Sequence, residues 1–168
     1  MKEIKINVNM KVKNMYEFLM RHAYVSLVGV ASLAFSIVSF IYLCVNFSNL
    51  KSSQVVVLII TSLLFTVINP IWIYVNAGKQ VKLNPTYNAE LTYEISENGV
   101  KVVQNEQELM VEWNEVQKII ETKNNVIIYL TKVRAFVIPQ EDIKSDKKEL
   151  VELIKSSVDA KKCRLKQA

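Results

Sequence analysis

The sequence predicts a membrane α-helical hairpin joined to a small α+β domain, and three observations carry that prediction. Nothing ionisable occurs between His22 and Lys51, or again between Lys51 and Lys79. Each interval exceeds the roughly 20 residues an α-helix needs to cross a hydrocarbon core about 30 Å thick. From Leu91 onward apolar residues recur at every second position, the period of a half-buried strand. Near the end, Ile143, Leu150, Val151, Leu153, Ile154 and Val158 fall at helical spacing with Lys, Glu and Asp between them. The expected organisation is residues 1–22 as an N-terminal strand and juxtamembrane helix, 23–78 as a two-helix transmembrane hairpin, and 79–168 as one cytoplasmic domain.

Taken in order, Ile4, Ile6, Val8 and Met10 alternate with Lys5, Asn7 and Asn9, which predicts a short strand. That strand is expected to add to the sheet of the soluble domain. Asn14 is placed to cap a helix through Met15, Phe18 and Leu19 that runs on into the first span. The spans cover residues 23–47 and 54–77, with Tyr24, Tyr42, Trp72 and Tyr74 towards their ends, where amphipathic rings favour the headgroup level. Ser32 and Ser36 have the spacing that lets membrane helices approach closely. Pro70 lacks an N–H and is expected to bend the second helix. Asn69 beside it is the most polar side chain well inside either span, and Asn69 and Pro70 form the candidate contact of the helix hairpin.

After the Asn84-Pro85 turn, Leu91, Tyr93 and Ile95 lead through Glu97-Asn98-Gly99 to Val100 and Val102, a hairpin with Asn-Gly at its tip. Leu109, Val111 and Trp113 then meet Val116, Ile119 and Ile120 across Asn114. Asn124-Asn125 turns the chain into 126–130, and a strand over 133–138 ends at Pro139. Antiparallel strands closed by an amphipathic helix predict a curled sheet or partly open barrel plugged by that helix. Trp113 is read as a core anchor with its N–H bonded, rather than as a ligand platform.

Charge sets the topology. Five basic residues, Lys2, Lys5, Lys11, Lys13 and Arg21, precede the first span, and Lys79 and Lys82 follow the second. The loop between the spans carries Lys51 alone. The positive-inside rule places both termini in the cytoplasm. From Lys79 onward 15 basic and 14 acidic residues nearly cancel, which argues against a nucleic-acid surface. The first apolar run starts too late and is too long for a cleaved signal peptide.

The order of these pieces resembles a known family. A short N-terminal strand and two spans precede Tyr93-Glu94-Ile95-Ser96-Glu97-Asn98-Gly99-Val100, then Trp113-Asn114-Glu115-Val116, Tyr129-Leu130 and Ala135-Phe136-Val137-Ile138-Pro139. Together they resemble the YcxB-like bacterial membrane proteins. The resemblance implies a pleckstrin-homology-like C-terminal domain on the cytoplasmic (inner) membrane, and it brings no catalytic residues.

The sequence contains no Walker loop, GxSxG or HExxH, and no metal or CxxC spacing. The only histidine, His22, has no ligating residue near it in sequence. No enzyme activity, cofactor, metal or nucleic-acid partner is expected. The expected role is a non-enzymatic binding or scaffold module, tethered so that weak contacts with membrane lipids or a membrane protein become effectively intramolecular. The candidate lipid-facing residues are the basic tail Lys161, Lys162, Arg164 and Lys166. The alternative is a small immunity or stress-protection protein acting through its hairpin, with self-association in place of a partner.

Overall fold

The computed structural model describes residues 3–84, 87, 91–105, 107–132 and 134–165. Lys2, Pro85, Val133 and Lys166, each named above, lie outside the described residues. The chain divides into two compact units, Met1–Met15 with Lys79–Ala168, and Tyr16–Gly78.

In the first unit β1 (Glu3–Val8) pairs antiparallel with β2 (Leu91–Ser96), placing Ile4 opposite Ile95 and Ile6 opposite Tyr93. The period-two pattern explains the join: Ile4 and Ile6 are buried, while Lys5 faces outward and donates to Glu94 at 2.7 Å. β3 (Gly99–Gln104) and β4 (Gln107–Glu112) complete a four-stranded antiparallel sheet, β1-β2-β3-β4. On its outer face Lys101 bridges Glu94 and Glu108, so charge alternates across all four strands. Ser96 pairs with Gly99, so the first turn is Glu97-Asn98 and Gly99 opens β3 rather than sitting at the tip. A Cβ at Gly99 would run into the carbonyl oxygen of Val111 on the paired strand, a close approach that only glycine permits.

The strands holding Leu109 and Val111, and Ile119 and Ile120, do not meet in one sheet. A 3-10 turn, Trp113–Glu115, carries the chain out of the first sheet into a second, ordered β7-β6-β5-β8. Its strands are β5 (Lys118–Glu121), β6 (Asn125–Tyr129), β7 (Ala135–Pro139) and β8 (Cys163–Arg164). The pairings are antiparallel except β5 with β8, which is parallel. Val126, Ile127 and Ile128 are all buried, so both faces of β6 are covered, and a continuous apolar run forms the strand. An amphipathic helix near the C-terminus, Lys147–Ser157, contributes Leu150, Val151, Leu153 and Ile154 to a core shared with both sheets.

Helix α1 (Val12–Val25) starts two residues before Asn14, so Asn14 is not its cap. Instead its carboxamide is buried. It donates to Asn125 Oδ1 at 2.9 Å and to the Asn124 carbonyl at 3.1 Å, and Asn125 Nδ2 returns a bond to the Asn14 carbonyl at 3.1 Å. This exchange ties the start of α1 to the start of β6.

Two long apolar helical runs follow, Leu27–Asn49 within the second unit and Ser52–Leu83, which belongs to it as far as Gly78. α1 does not continue into the first run. Ser26 is extended (φ −69°, ψ 152°), and its Oγ accepts from the Gly29 N–H, starting α2 (Leu27–Asn46) afresh. The second run is α3 (Ser52–Leu63), a π-helical segment Leu64–Ile68, and α4 (Asn69–Leu83). α2 and α3 pack against each other, and the buried Ser36 donates to the Thr61 carbonyl at 2.8 Å across that seam. The Lys147–Ser157 helix is α5.

Candidate functional site

A cluster of lysines in the first unit lies where three separate segments converge. Lys13 comes from α1, Lys123 and Asn124 from the β5–β6 turn, and Gln140, Glu141, Lys144 and Lys147 from the stretch joining β7 to α5. Together they line a cavity of about 420 Å³. The Asn14–Asn125 exchange fixes the α1 wall, and Gln140 N–H donating to the Asn124 carbonyl fixes the opposite one.

Carboxylates hold Lys13 and Lys147 in place. Glu141 takes Lys11 on one oxygen and Lys13 on the other, each at 2.7 Å. Those two ammoniums hold its carboxyl far below the usual range, at about 2. Glu121, its side chain only 4% exposed, receives Lys147 Nζ at 2.8 Å and Gln140 Nε2 at 3.1 Å. Neighbouring Asp142 accepts the Asn9 N–H at 2.8 Å, while burial pushes its own pKa up. Lys144 is exposed at the rim. The walls are thus pre-positioned and carry four ammoniums against one carboxylate. Such a lining favours an anion over a cation. Among the described residues no group of three or more His, Cys, Asp and Glu is placed to hold a metal ion.

The predicted basic tail lies elsewhere in this unit. Lys161 N–H bonds Asp159 Oδ1, the Lys162 carbonyl accepts from Ile119 N–H, and Arg164 sits in β8 beside β5. Leu165 is buried in the core, so the described part of the tail is a folded edge of the second sheet. Trp113 is buried, with Nε1 donating to the Ser96 carbonyl at 3.0 Å.

In the second unit Asn69 and Pro70 join a compact polar arrangement. Asn69 N–H bonds the Leu64 carbonyl in the π pattern, and Pro70 has no N–H to give. The Phe65 carbonyl therefore loses both helical donors that could reach it. Tyr24 Oη donates to it at 2.6 Å and accepts Asn69 Nδ2 at 3.0 Å. Sequence reasoning found Asn69 and Pro70 but not Tyr24 as their partner. It also missed the lysine cavity, because Lys13 lies 110 positions before Lys123 and no local period links it to the other walls.

Residues 95–155, from late β2 through most of α5, match the model of the family described as YcxB-like protein. The chain is also similar to "Uncharacterized protein YcxB" of Bacillus subtilis (strain 168), with 23% identity over 112 residues. That alignment covers 66% of this chain and 60% of the relative's length. No solved structure matches the chain.

Proposed function

Starting from a segment 95–155 that matches the YcxB-like family, we propose that the chain is a non-enzymatic, membrane-anchored binding module. The two apolar runs cross the bacterial cytoplasmic membrane as a hairpin, with both termini in the cytoplasm. The two-sheet unit is a pleckstrin-homology-like domain that presents its surface to a membrane lipid or a membrane protein.

The observation supporting this reading is the surface of the apolar runs. They are 23 and 32 residues long, and in their most apolar stretches only 17% and 11% of residues are buried. Leu27 is 86% exposed and Val45 76%, surface that water does not tolerate in a stable helix pair. The polar groups between them fit a hydrocarbon surrounding, where each must find a partner within the protein. Ser36, Ser39, Thr61, Ser62 and Thr66 each donate to a backbone carbonyl.

Cysteine accessibility tests this reading. In a chain with Cys44→Ser and Cys163→Ser, Ser53→Cys is expected to react with a membrane-impermeant maleimide in intact cells. Ser145→Cys is expected to react only after lysis. Labelling of Ser145→Cys in intact cells, or protection of Ser53→Cys there, would overturn the topology.

A further inference from the structure

We propose that the cavity lined by Lys13, Lys123, Lys144 and Lys147 is a binding site for a phosphate-bearing anion. The inference deepens the binding-module reading by naming the ligand chemistry and its residues, and it rests on that reading for its biological setting. Three observations support it. First, the lining carries four ammoniums against Glu141 alone. Including Lys11 and the buried Glu121 behind Lys147, five ammoniums face two carboxylates. Asp142 and Asp146 accept from the Asn9 N–H and the Ser145 hydroxyl, bonds that leave their charge in place, so the cation excess belongs to the cavity lining itself.

Second, the site is built rather than incidental. Lys147 is fixed between Glu121 at 2.8 Å and Gln140 Oε1 at 3.2 Å, and Lys13 is fixed on Glu141. A cation held in place loses little freedom when an anion arrives, which preserves binding energy. Third, α5 begins beside the cavity: its N-cap residue Asp146 makes no side-chain cap bond, and its first turn carries Lys147 and Lys148 beside Glu149. Cations are unfavourable at the positive end of a helix. A bound anion reverses that penalty by meeting the ammoniums and the helix end together. A tetrahedral phosphate monoester offers several acceptor oxygens to such convergent donors. The same chemistry is supplied by a phospholipid headgroup or by a soluble phosphate ester.

The test uses the full chain in nanodiscs of neutral phosphatidylcholine, titrated with inorganic pyrophosphate and followed by amide hydrogen exchange. Protection is expected at residues 121–124 and 139–149. Lys123→Gln with Lys144→Gln should weaken it by about tenfold, the equivalent of one charge-assisted contact, while the matching Arg pair retains it. Unchanged Trp113 emission in a Trp72→Phe background shows that the Gln pair remains folded. Discs containing phosphatidic acid, without pyrophosphate, then identify the source. Matching protection assigns a lipid headgroup, and protection by pyrophosphate alone assigns a soluble ester. No pyrophosphate-dependent protection, or equal protection in the Gln pair, overturns the site. The pyrophosphate arm is independent of topology, so its failure is distinct from failure of the cysteine labelling.

Discussion

Replacing Tyr24 with Phe removes one oxygen and leaves the helix backbone to absorb the loss. The Phe65 carbonyl has no helical donor in reach, because Asn69 N–H is committed to Leu64 and Pro70 has none. Its bond from Tyr24 Oη is short, 2.6 Å, and the same oxygen accepts Asn69 Nδ2. An acceptor stranded away from water costs about 1–3 kcal/mol. The lost Asn69 bond adds a smaller amount, about 0.6 kcal/mol for a side-chain bond between helices in the proposed membrane setting. Tyr24→Phe should therefore destabilise the helix pair by about 2 kcal/mol, measured by reversible unfolding in mixed micelles. The decisive comparison is the same change in a Pro70→Ala background. That substitution restores a backbone N–H, and the π segment is then free to relax to α-helical bonding that gives Phe65 its own donor. There the Tyr24→Phe cost should fall below about 1 kcal/mol, the worth of the Asn69 bond alone. An equal cost in both backgrounds would refute the orphaned-carbonyl account.

Three further outcomes are expected. Asn14→Ala removes the bonds its carboxamide donates to Asn125 Oδ1 and to the Asn124 carbonyl and keeps the one from Asn125 Nδ2 to the residue 14 carbonyl; a loss of about 2 kcal/mol is expected in denaturant titrations followed by Trp113 emission in a Trp72→Phe background. Gly99→Ala forces a methyl into the Val111 carbonyl, and backbone does not yield. It should lower the unfolding midpoint, and exchange should accelerate in β3 and β4 before β6. For Glu141, a folded pKa of about 2 against an ordinary 4.5 means its ion pairs stabilise the fold above about 4.5 and are lost as pH falls towards 2. Asp142, raised by burial, works in the opposite direction, so its contribution weakens as pH rises. Glu141→Gln should flatten the acid limb of the stability profile, and an unchanged limb would show that Lys11 and Lys13 add nothing there.

Local chemistry accounts for what was readable and what was not. The alternation of Ile4 and Ile6 placed β1 correctly because a strand's buried face is written every second residue. The same rule marked strands at β4 and β5 but not how they pair. Alternation fixes which face is buried but not which strand is the neighbour, and the Trp113–Glu115 turn hands the chain to another sheet. Asn14 read as a cap because capping residues look alike in sequence. Its actual partner, Asn125, is 111 positions away. Ser26 breaks the helix with its hydroxyl, which donates to the Ala23 carbonyl and accepts from Gly29 N–H, a signal hidden inside an apolar run.

By itself the sequence determined the two apolar runs, the strands of alternating pattern and the amphipathic C-terminal helix, because hydrophobic period and the absence of charge act over a few turns or strands. Only the tertiary structure decided that Lys13, Lys123, Lys144 and Lys147 surround one cavity and that Tyr24 serves the carbonyl Pro70 leaves open. Both are meetings of residues distant in the chain. Their energies depend on separations of a few ångströms, which chain closure and packing set and local sequence does not encode.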